Sequence, residues 1–532
     1  MPKKLDNFIE KCGALRLLIK KYLPLAAAKH FSIGGDFMLP VNCGSHTDYQ
    51  NFVLENLRKH YPNPDSIARS TWDIMNRFWN LDLSFTDVFM KDKYSVFGPK
   101  PRTPSCMQRS YLLSIDFKVS SITDWVAQLK INPLYAILSG FEFGNTPGVG
   151  TFYDFFDRLW DYDDNHLSPH IHPLKVKVKK PKTKGTKADS VEKVTVEQLL
   201  PKLENTTFHI DDQPYGSLFK LFRAEFLETS VSKGLINTMN LALAGDGTPV
   251  VTSHRERKHR VCDCGSKGIT DCKCDRYFSQ PDCDIGWDSS RDCWYHGYDL
   301  YMNVDSKSDL PVFPLLHPAS KHDSHGFLHN FFRLKNFLPN YNITKLLLDS
   351  AHDAMPYYRY CKRVGITPFI DLNGKGGRPP VYKNDFTIDK DGVPVCPTGF
   401  RMRRDGVEIA KGRSKFKCPK ISRKNGCLSC TCDTPCSDAK YGRTIHLVMN
   451  DNPRLFNNPP RSSKEWKLEY NARTSAERSN KREKLDFKLE DGRHRSTKMW
   501  YCRLYHILML QHLDAWDMPF ESTLRKLILQ VA

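Results

Sequence analysis

Three short apolar runs constrain this chain more than anything else in it. Leu241-Ala242-Leu243-Ala244 stops at Gly245-Asp246-Gly247, Leu346-Leu347-Leu348 stops at Asp349, and Pro368-Phe369-Ile370 stops at Asp371. Strands buried on both faces of a parallel sheet read this way, as continuous apolar runs rather than alternating ones. Helical patterns separate them, so the chain beyond residue 205 is expected to build an α/β core. Ligands in open α/β sheets bind outside the carboxyl ends of the strands. The acids that close these runs are therefore the first candidates for chemistry.

The rest of the chain divides around that core. Residues 1–173 read as mostly α-helical, with Leu15, Leu18, Ile19 and Tyr22 at the spacing of one helix face. Between Ile122 and Trp160 two helical patterns, the first carrying Trp125, Leu129, Leu134 and Ile137, flank the turn-rich stretch 143–150. Two helices joined by a turn can enter a DNA groove, and an ordinary helical hairpin is the plain alternative. This part is read as the DNA-binding domain. Residues 174–205 read as a basic linker, carrying Lys175, Lys177, Lys179, Lys180, Lys182, Lys184 and Lys187 without an intervening acid. The core occupies 206–373, with a Cys-rich loop over 262–293. Residues 374–460 read as a β-rich, Cys-containing insertion, with hairpin signals at Asp391-Gly392 and Asp405-Gly406. Residues 461–532 return to helix and complete the core.

Composition narrows the function. A length of 532 residues allows about three or four domains. With 40% hydrophobic and 12% aromatic residues, a mainly disordered, collagen-like or coiled-coil chain is excluded. The formal charge of +19 points to a polyanionic partner, nucleic acid before membrane surface. No run of about 18 apolar residues occurs, and the stretch from Lys3 to Glu10 has no signal-peptide core. A cytoplasmic protein without a membrane partner is expected.

Asp246, Asp349 and Glu477 form the acidic set of interest. Phosphodiester chemistry needs converging carboxylates that hold divalent metal, and hard oxygen donors suit Mg²⁺ or Mn²⁺. On one continuous helix, Tyr470, Arg473, Glu477 and Lys484 fall within an arc of roughly 60°, with Lys481 beside it. Cations there can grip phosphates flanking the reacting one. The plain alternative is a solvated helix face with ordinary charge pairing.

The pattern Tyr470-x2-Arg473-x3-Glu477-x6-Lys484 resembles the Tyr-Arg-Glu-Lys signature of bacterial insertion-sequence transposases. The text Arg473-Thr474-Ser475-Ala476-Glu477-Arg478-Ser479-Asn480 is similar to theirs as well. Gly245-Asp246-Gly247-Thr248 and Leu348-Asp349-Ser350-Ala351-His352-Asp353 resemble their two aspartate strands. The likeness covers about 206–532, and more loosely 150–156. It implies a ribonuclease-H-like core with an Asp-Asp-Glu triad that binds terminal inverted repeats. It further implies cleavage at the element ends and joining of the 3′-hydroxyls to target DNA. Tyr470, Arg473, Lys481 and Lys484 would contact DNA, and a homodimer or higher multimer would assemble on it, in a bacterial, nucleoid-associated setting. In such proteins a β-rich insertion commonly fills the long gap before the glutamate. His352 departs from the family, where an aromatic is common. Asp353 competes with Asp349, and Asp349 is favoured because it directly ends its apolar run. A DNA-binding relative that no longer cuts, and a nuclease of the same core without strand transfer, are the alternatives.

Twelve of the 17 cysteines fall in two windows, 262–293 and 396–436. Cys262-x-Cys264-x7-Cys272-x-Cys274 offers four thiolates to one structural Zn²⁺, with unliganded reduced thiols as the alternative. Two basic patches, His254–Arg260 and Arg401–Lys417, would flank DNA or form solvated loops.

Overall fold

The computed structural model describes residues 44–95, 99–173, 194–252, 258–270, 272–374, 386–424, 427–492, 494–516 and 523–529. The expected helix at Leu15–Tyr22, the lysine run 175–187 and the patch residues 254–257 lie outside the described residues.

The helical region contains α1 (His46–His60), α2 (Arg69–Asn80), α3 (Ser84–Met90), α4 (Pro104–Asp116), α5 (Ile122–Ile131), α6 (Pro133–Ser139) and α7 (Val149–Leu159). A capping box between Ser45 and Asp48 starts α1. Between 122 and 160 the chain makes three helices where two were expected. Pro133 disfavours helical geometry at Asn132, which ends α5 and whose side chain then caps α6. Gly140, at φ 88°, ends α6 in the left-handed region.

A short strand, β1 (Ile171–His172), follows. The end of the expected linker is helical: α8 spans Val196–Glu204, started by a Thr195–Gln198 capping box and burying Leu199, Leu200 and Leu203. The boundary at 205 is thus corrected, because an apolar stripe outweighs the basic composition preceding it. Next come α9 (Gly216–Phe222), a π-turn over Arg223–Leu227, and α10 (Glu228–Ser232).

The main sheet is built from β2 (Leu241–Val251), β5 (Asp284–Asp288), β6 (Cys293–Asp305), β7 (Pro311–Pro318), β8 (Ile343–Leu348) and β9 (Thr367–Ile370). Its order is β5-β6-β2-β8-β9, with β7 also on β6. β2 is central, antiparallel to β6 and parallel to β8, which is parallel to β9. Two small strands between β2 and β5, β3 (Lys258–Arg260) and β4 (Arg276–Phe278), join β1 in a separate sheet ordered β1-β4-β3. Helix α11 (Asp323–Phe337) packs on β2, β6 and β7, and α12 (Met355–Val364) packs on β9.

The segment after 374 is strand-rich. It holds β10 (Thr387–Ile388), β11 (Pro394–Val395), β12 (Arg403–Glu408), β13 (Arg413–Lys417), β14 (Ile421–Lys424), β15 (Cys427–Cys430) and β16 (Thr444–Val448). Ile388, Val393, Met402, Phe416, Ile445, Leu447, Leu455 and Phe456 form a small apolar core of its own. The chain closes with α13 (Lys464–Asn471), α14 (Thr474–Lys481), a π-turn over Arg482–Asp486, α15 (Thr497–Ala515) and α16 (Thr523–Leu529).

Helix α15 is buried from Thr497 to Leu513. It packs against α4 and α7 on one side and α9 and β7 on the other. One continuous core therefore runs from Val53 to Ile528. The N-terminal helices are fused to the sheet region rather than tethered beside it. No described helix is long and apolar enough to cross a membrane.

In the π-turn after α14, Glu483 is fully buried. Its Oε1 accepts from Ser479 (3.4 Å) and Gln511 (3.2 Å), and its Oε2 has no partner. Burial pushes its carboxyl up to about 8, against those hydrogen bonds. The folded protein thus holds this proton more tightly than the unfolded chain does. Stability from Glu483 is full at low pH and is lost as pH rises through about 8. Glu483→Gln keeps the Oε1 bonds and removes the ionisation. Its melting temperature should exceed wild type by about 2–4 °C at pH 9 and converge with it near pH 5, read by calorimetry.

Candidate active site

Strand register brings the first two acids together. Ala244 on β2 pairs with Leu347 on β8, and two residues further along these parallel strands lie Asp246 and Asp349. The glycines beside Asp246 permit close approach. A Cβ on Gly247 would lie 2.6 Å from Asp323 Oδ1, and one on Gly245 would lie 2.8 Å from the Tyr301 hydroxyl.

Asp349 starts the turn Ser350–His352 and accepts from the Ala351 amide at 3.1 Å. Nδ1 of buried His352 lies 2.6 Å from Asp349 Oδ1, and its Nε2 lies 2.9 Å from the Tyr301 hydroxyl. The imidazole is thus pinned from both sides. Burial works to raise the Asp349 carboxyl, but the His352 and Ala351 hydrogen bonds, with Arg473 nearby, hold it below the ordinary range. Asp353 is committed elsewhere. Fully buried, it receives Arg454 Nε at 2.8 Å, the Tyr358 hydroxyl at 2.9 Å and the Asn373 amide at 2.7 Å.

Glu477 arrives on α14, which packs on β2 and β6 through buried Ser475, Ala476, Ser479 and Asn480. Asn480 Nδ2 reaches Asp246 Oδ2 at 3.5 Å. The Glu477 side chain is half exposed and accepts from Arg473 Nη2 at 2.7 Å. Asp246 records the convergence of all these groups. Burial, then repulsion from Asp349, Asp323 and Glu477, raises its carboxyl to about 7, and Arg473 opposes them.

The expected single helix is interrupted by a tightened turn: Ala472 and Arg473 keep right-handed helical dihedrals, with Tyr470 in the last turn of α13 and Glu477 on α14. Tyr470 stacks on Trp466 at 4.8 Å, and the Arg473 guanidinium lies 5.8 Å from the Tyr470 ring centre. Lys481 is exposed. Lys484 instead turns to the Pro249 carbonyl (2.7 Å) and Glu490 (3.4 Å), which fastens the π-turn to β2.

Two acids of this cluster escaped the sequence reading. Asp299 on β6 is buried and Asp323 at the start of α11 is partly buried; burial raises both carboxyls, and the neighbouring Asp323 raises that of Asp299 further. Asp299 Oδ2 has no hydrogen-bond partner. Asp299 lies inside a buried β6 that ends in no turn signal, and Asp323 sits among polar loop residues, so neither stood out.

The first cysteine window also closes up. The Sγ atoms of Cys262 and Cys272 are 3.6 Å apart, and those of Cys264 and Cys274 are 3.7 Å apart. Among the described residues these four form the only set of three or more metal-ligating groups whose donor atoms all lie within 4.8 Å of one another. The acids do not draw together that tightly. In the insertion, Arg401 pairs with Asp389 and Asp391, Arg413 with Glu408, and Lys415 and Lys417 with Asp405. Much of that patch is internally neutralised.

Removing one partner of a buried ion pair typically costs about 3–5 kcal/mol, because the other charge is left uncompensated. Asp353→Ala should therefore lower stability by about that amount in denaturant unfolding. Adding Arg454→Ala should cost little more. Additive losses would show that the two side chains do not act as a pair. No protein-family model matches the chain, and no curated protein matches it either.

Proposed function

We propose that this chain is a metal-dependent DNA transposase of the Asp-Asp-Glu type, built on a ribonuclease-H-like core. The observation that carries this reading is the electrostatic convergence of Asp246, Asp349 and Glu477. These residues lie far apart in sequence: Asp246 midway along β2, Asp349 just past the end of β8, and Glu477 on the helix that packs on β2. A mixed sheet with its first strand central, antiparallel to one neighbour and parallel to the other, supports the core assignment. The charge of +19 supports a DNA partner.

The residues present fit a divalent cation. The donors are hard carboxylate oxygens, and Asp246 is held partly protonated by burial and neighbouring acids, with Arg473 as the cation opposing them. Asp246, Asp349 and Glu477 would hold Mg²⁺ or Mn²⁺, and Asp323 is close enough to act on Asp246. The bound metal would activate the attacking water or 3′-hydroxyl and stabilise the leaving oxygen.

The chain's own groups prepare that chemistry. Asp246 is fixed by the rigidity of β2. His352, held by Tyr301, aims the Asp349 carboxylate and holds it ionised. Arg473 tethers Glu477 at the exposed rim, where the same guanidinium is available to a phosphate. Exposed Lys481 adds a cation on the same helix. Lys484 serves the fold instead.

A labelled duplex carrying the terminal repeat found beside the gene, incubated with Mg²⁺ or Mn²⁺, tests this. Wild type should cut at the repeat boundary and join the freed 3′-end to a second duplex. Asp246→Asn, Asp349→Asn and Glu477→Gln should each lose at least about 100-fold in cleavage, or roughly 3 kcal/mol of barrier. Asp353→Asn should only weaken it. Binding without cleavage by wild type would leave a DNA-binding protein, and cutting without joining would leave a nuclease.

A further inference from the structure

We propose that Cys262, Cys264, Cys272 and Cys274 bind one structural Zn²⁺ that ties together the two ends of the connection between β3 and β4. This site is independent of the catalytic reading.

Geometry makes the case. A Zn–S bond of about 2.3 Å in a tetrahedron sets sulfur–sulfur edges of about 3.8 Å. The observed pairs stand at 3.6 and 3.7 Å, and no donor pair exceeds 4.8 Å. Such a set encloses a single ion; an iron–sulfur cluster needs thiolates spread more widely. A disulfide needs sulfurs at about 2.05 Å, far closer than either pair. Four protein thiolates leave no open coordination position, which marks a structural rather than a catalytic zinc.

The surroundings agree. Buried Arg276 donates through Nη2 to Cys272 Sγ at 3.3 Å and to the Cys272 carbonyl at 3.2 Å, while its Nη1 reaches the Cys274 carbonyl at 3.1 Å. A guanidinium bonded to a ligating sulfur is the outer-shell partner that a doubly negative four-thiolate zinc centre calls for. The described part of the loop buries little apolar surface. Asp263 and the residues from Gly265 to Thr270 are exposed, and Cys272 belongs to neither apolar core. The other side of the sheet is anchored without zinc. His170 stacks on Tyr277 at 5.3 Å, and the Phe278 amide donates to the His170 carbonyl at 2.8 Å. Zinc would thus fix the free end of a small sheet that joins the end of the helical region to the segment between β2 and β5.

The full-length protein, purified without chelator, is measured for zinc by elemental analysis. The result expected is at least one Zn²⁺ per chain, with Cys262→Ser and Cys274→Ser each losing one equivalent. Cys436→Ser, in the second window, should keep this zinc. Cobalt substitution reads the same site without relying on variant folding. Wild type should show a tetrahedral thiolate-to-Co²⁺ spectrum that Zn²⁺ displaces, and Cys262→Ser should lose the corresponding intensity. Zinc well below one equivalent in wild type, or unchanged zinc and cobalt spectra in the Cys262 and Cys274 variants, would overturn the assignment. So would disulfides among these four cysteines in the protein as purified under reducing conditions.

Discussion

Helix α15 is the element on which the rest of the molecule depends. A surface helix presents one apolar stripe, but this one is enclosed along nearly its whole length and must be covered from every side. The helices before residue 160 supply one wall, and α9 and β7 supply the other. Several of its polar groups are spent inside the fold. Arg503 donates to the carbonyls of Phe487, Lys488 and Leu489, and His512 engages the Pro311 carbonyl and the Ser230 hydroxyl. The last turns of chain then return to the first helices, where Arg58 holds the Leu527 carbonyl. The N-terminal helices therefore serve as one wall of the core, and any DNA surface they carry is held rigidly relative to the acids.

The second constraint is electrostatic, and it opposes folding. Asp246 and Asp299, midway along β2 and β6, gather with Asp323 and Asp349, and burial adds to the repulsion among them. Arg473 and the His352 hydrogen bond to Asp349 offset only part of it. A fold keeps such strain where it has a use for a bound cation or a shared proton. The Gly-Asp-Gly sequence carries the same meaning at the backbone, since side chains at Gly245 and Gly247 would collide with the residues that make the pocket.

Much of this was legible in the sequence, and the exceptions have physical causes. The apolar runs ending in acids announced three adjacent parallel strands, because burial on both faces leaves no alternation to mistake for anything else. The strand-rich character of the segment after 374 showed in its turn residues. Of the three antiparallel strands that complete the sheet, the long, buried β6 and β7 gave no comparable signal and blend into their surroundings. Without them Asp299 could not be placed. Helical periodicity failed at Asn132-Pro133, where extended backbone at Asn132 breaks a helix that side-chain spacing alone would continue, while at Ala472-Arg473 the helix only tightens by a turn. Four cysteines in two Cys-x-Cys pairs were visible, but it is the antiparallel pairing of β3 with β4 that brings their sulfurs together.

The appended parts share a mode of attachment that bears on function. The strand-rich segment is fastened by Arg454 on Asp353, four residues beyond Asp349. The β1-β4-β3 sheet leads into Asp282, which receives the Leu167 amide and is also bonded by Thr497 at the start of α15. The π-turn after Glu477 is tied to β2 by Lys484 on the Pro249 carbonyl, three residues beyond Asp246. Each clamp is a polar or ionic contact at least partly shielded from water, where geometry is stricter and screening weaker than on the surface. Two of the three lie within four residues of a cluster acid. A load applied to the outer segments is thereby carried close to the carboxylates. On the proposed function, a long, stiff polyanion held against one reacting bond would load these clamps directly.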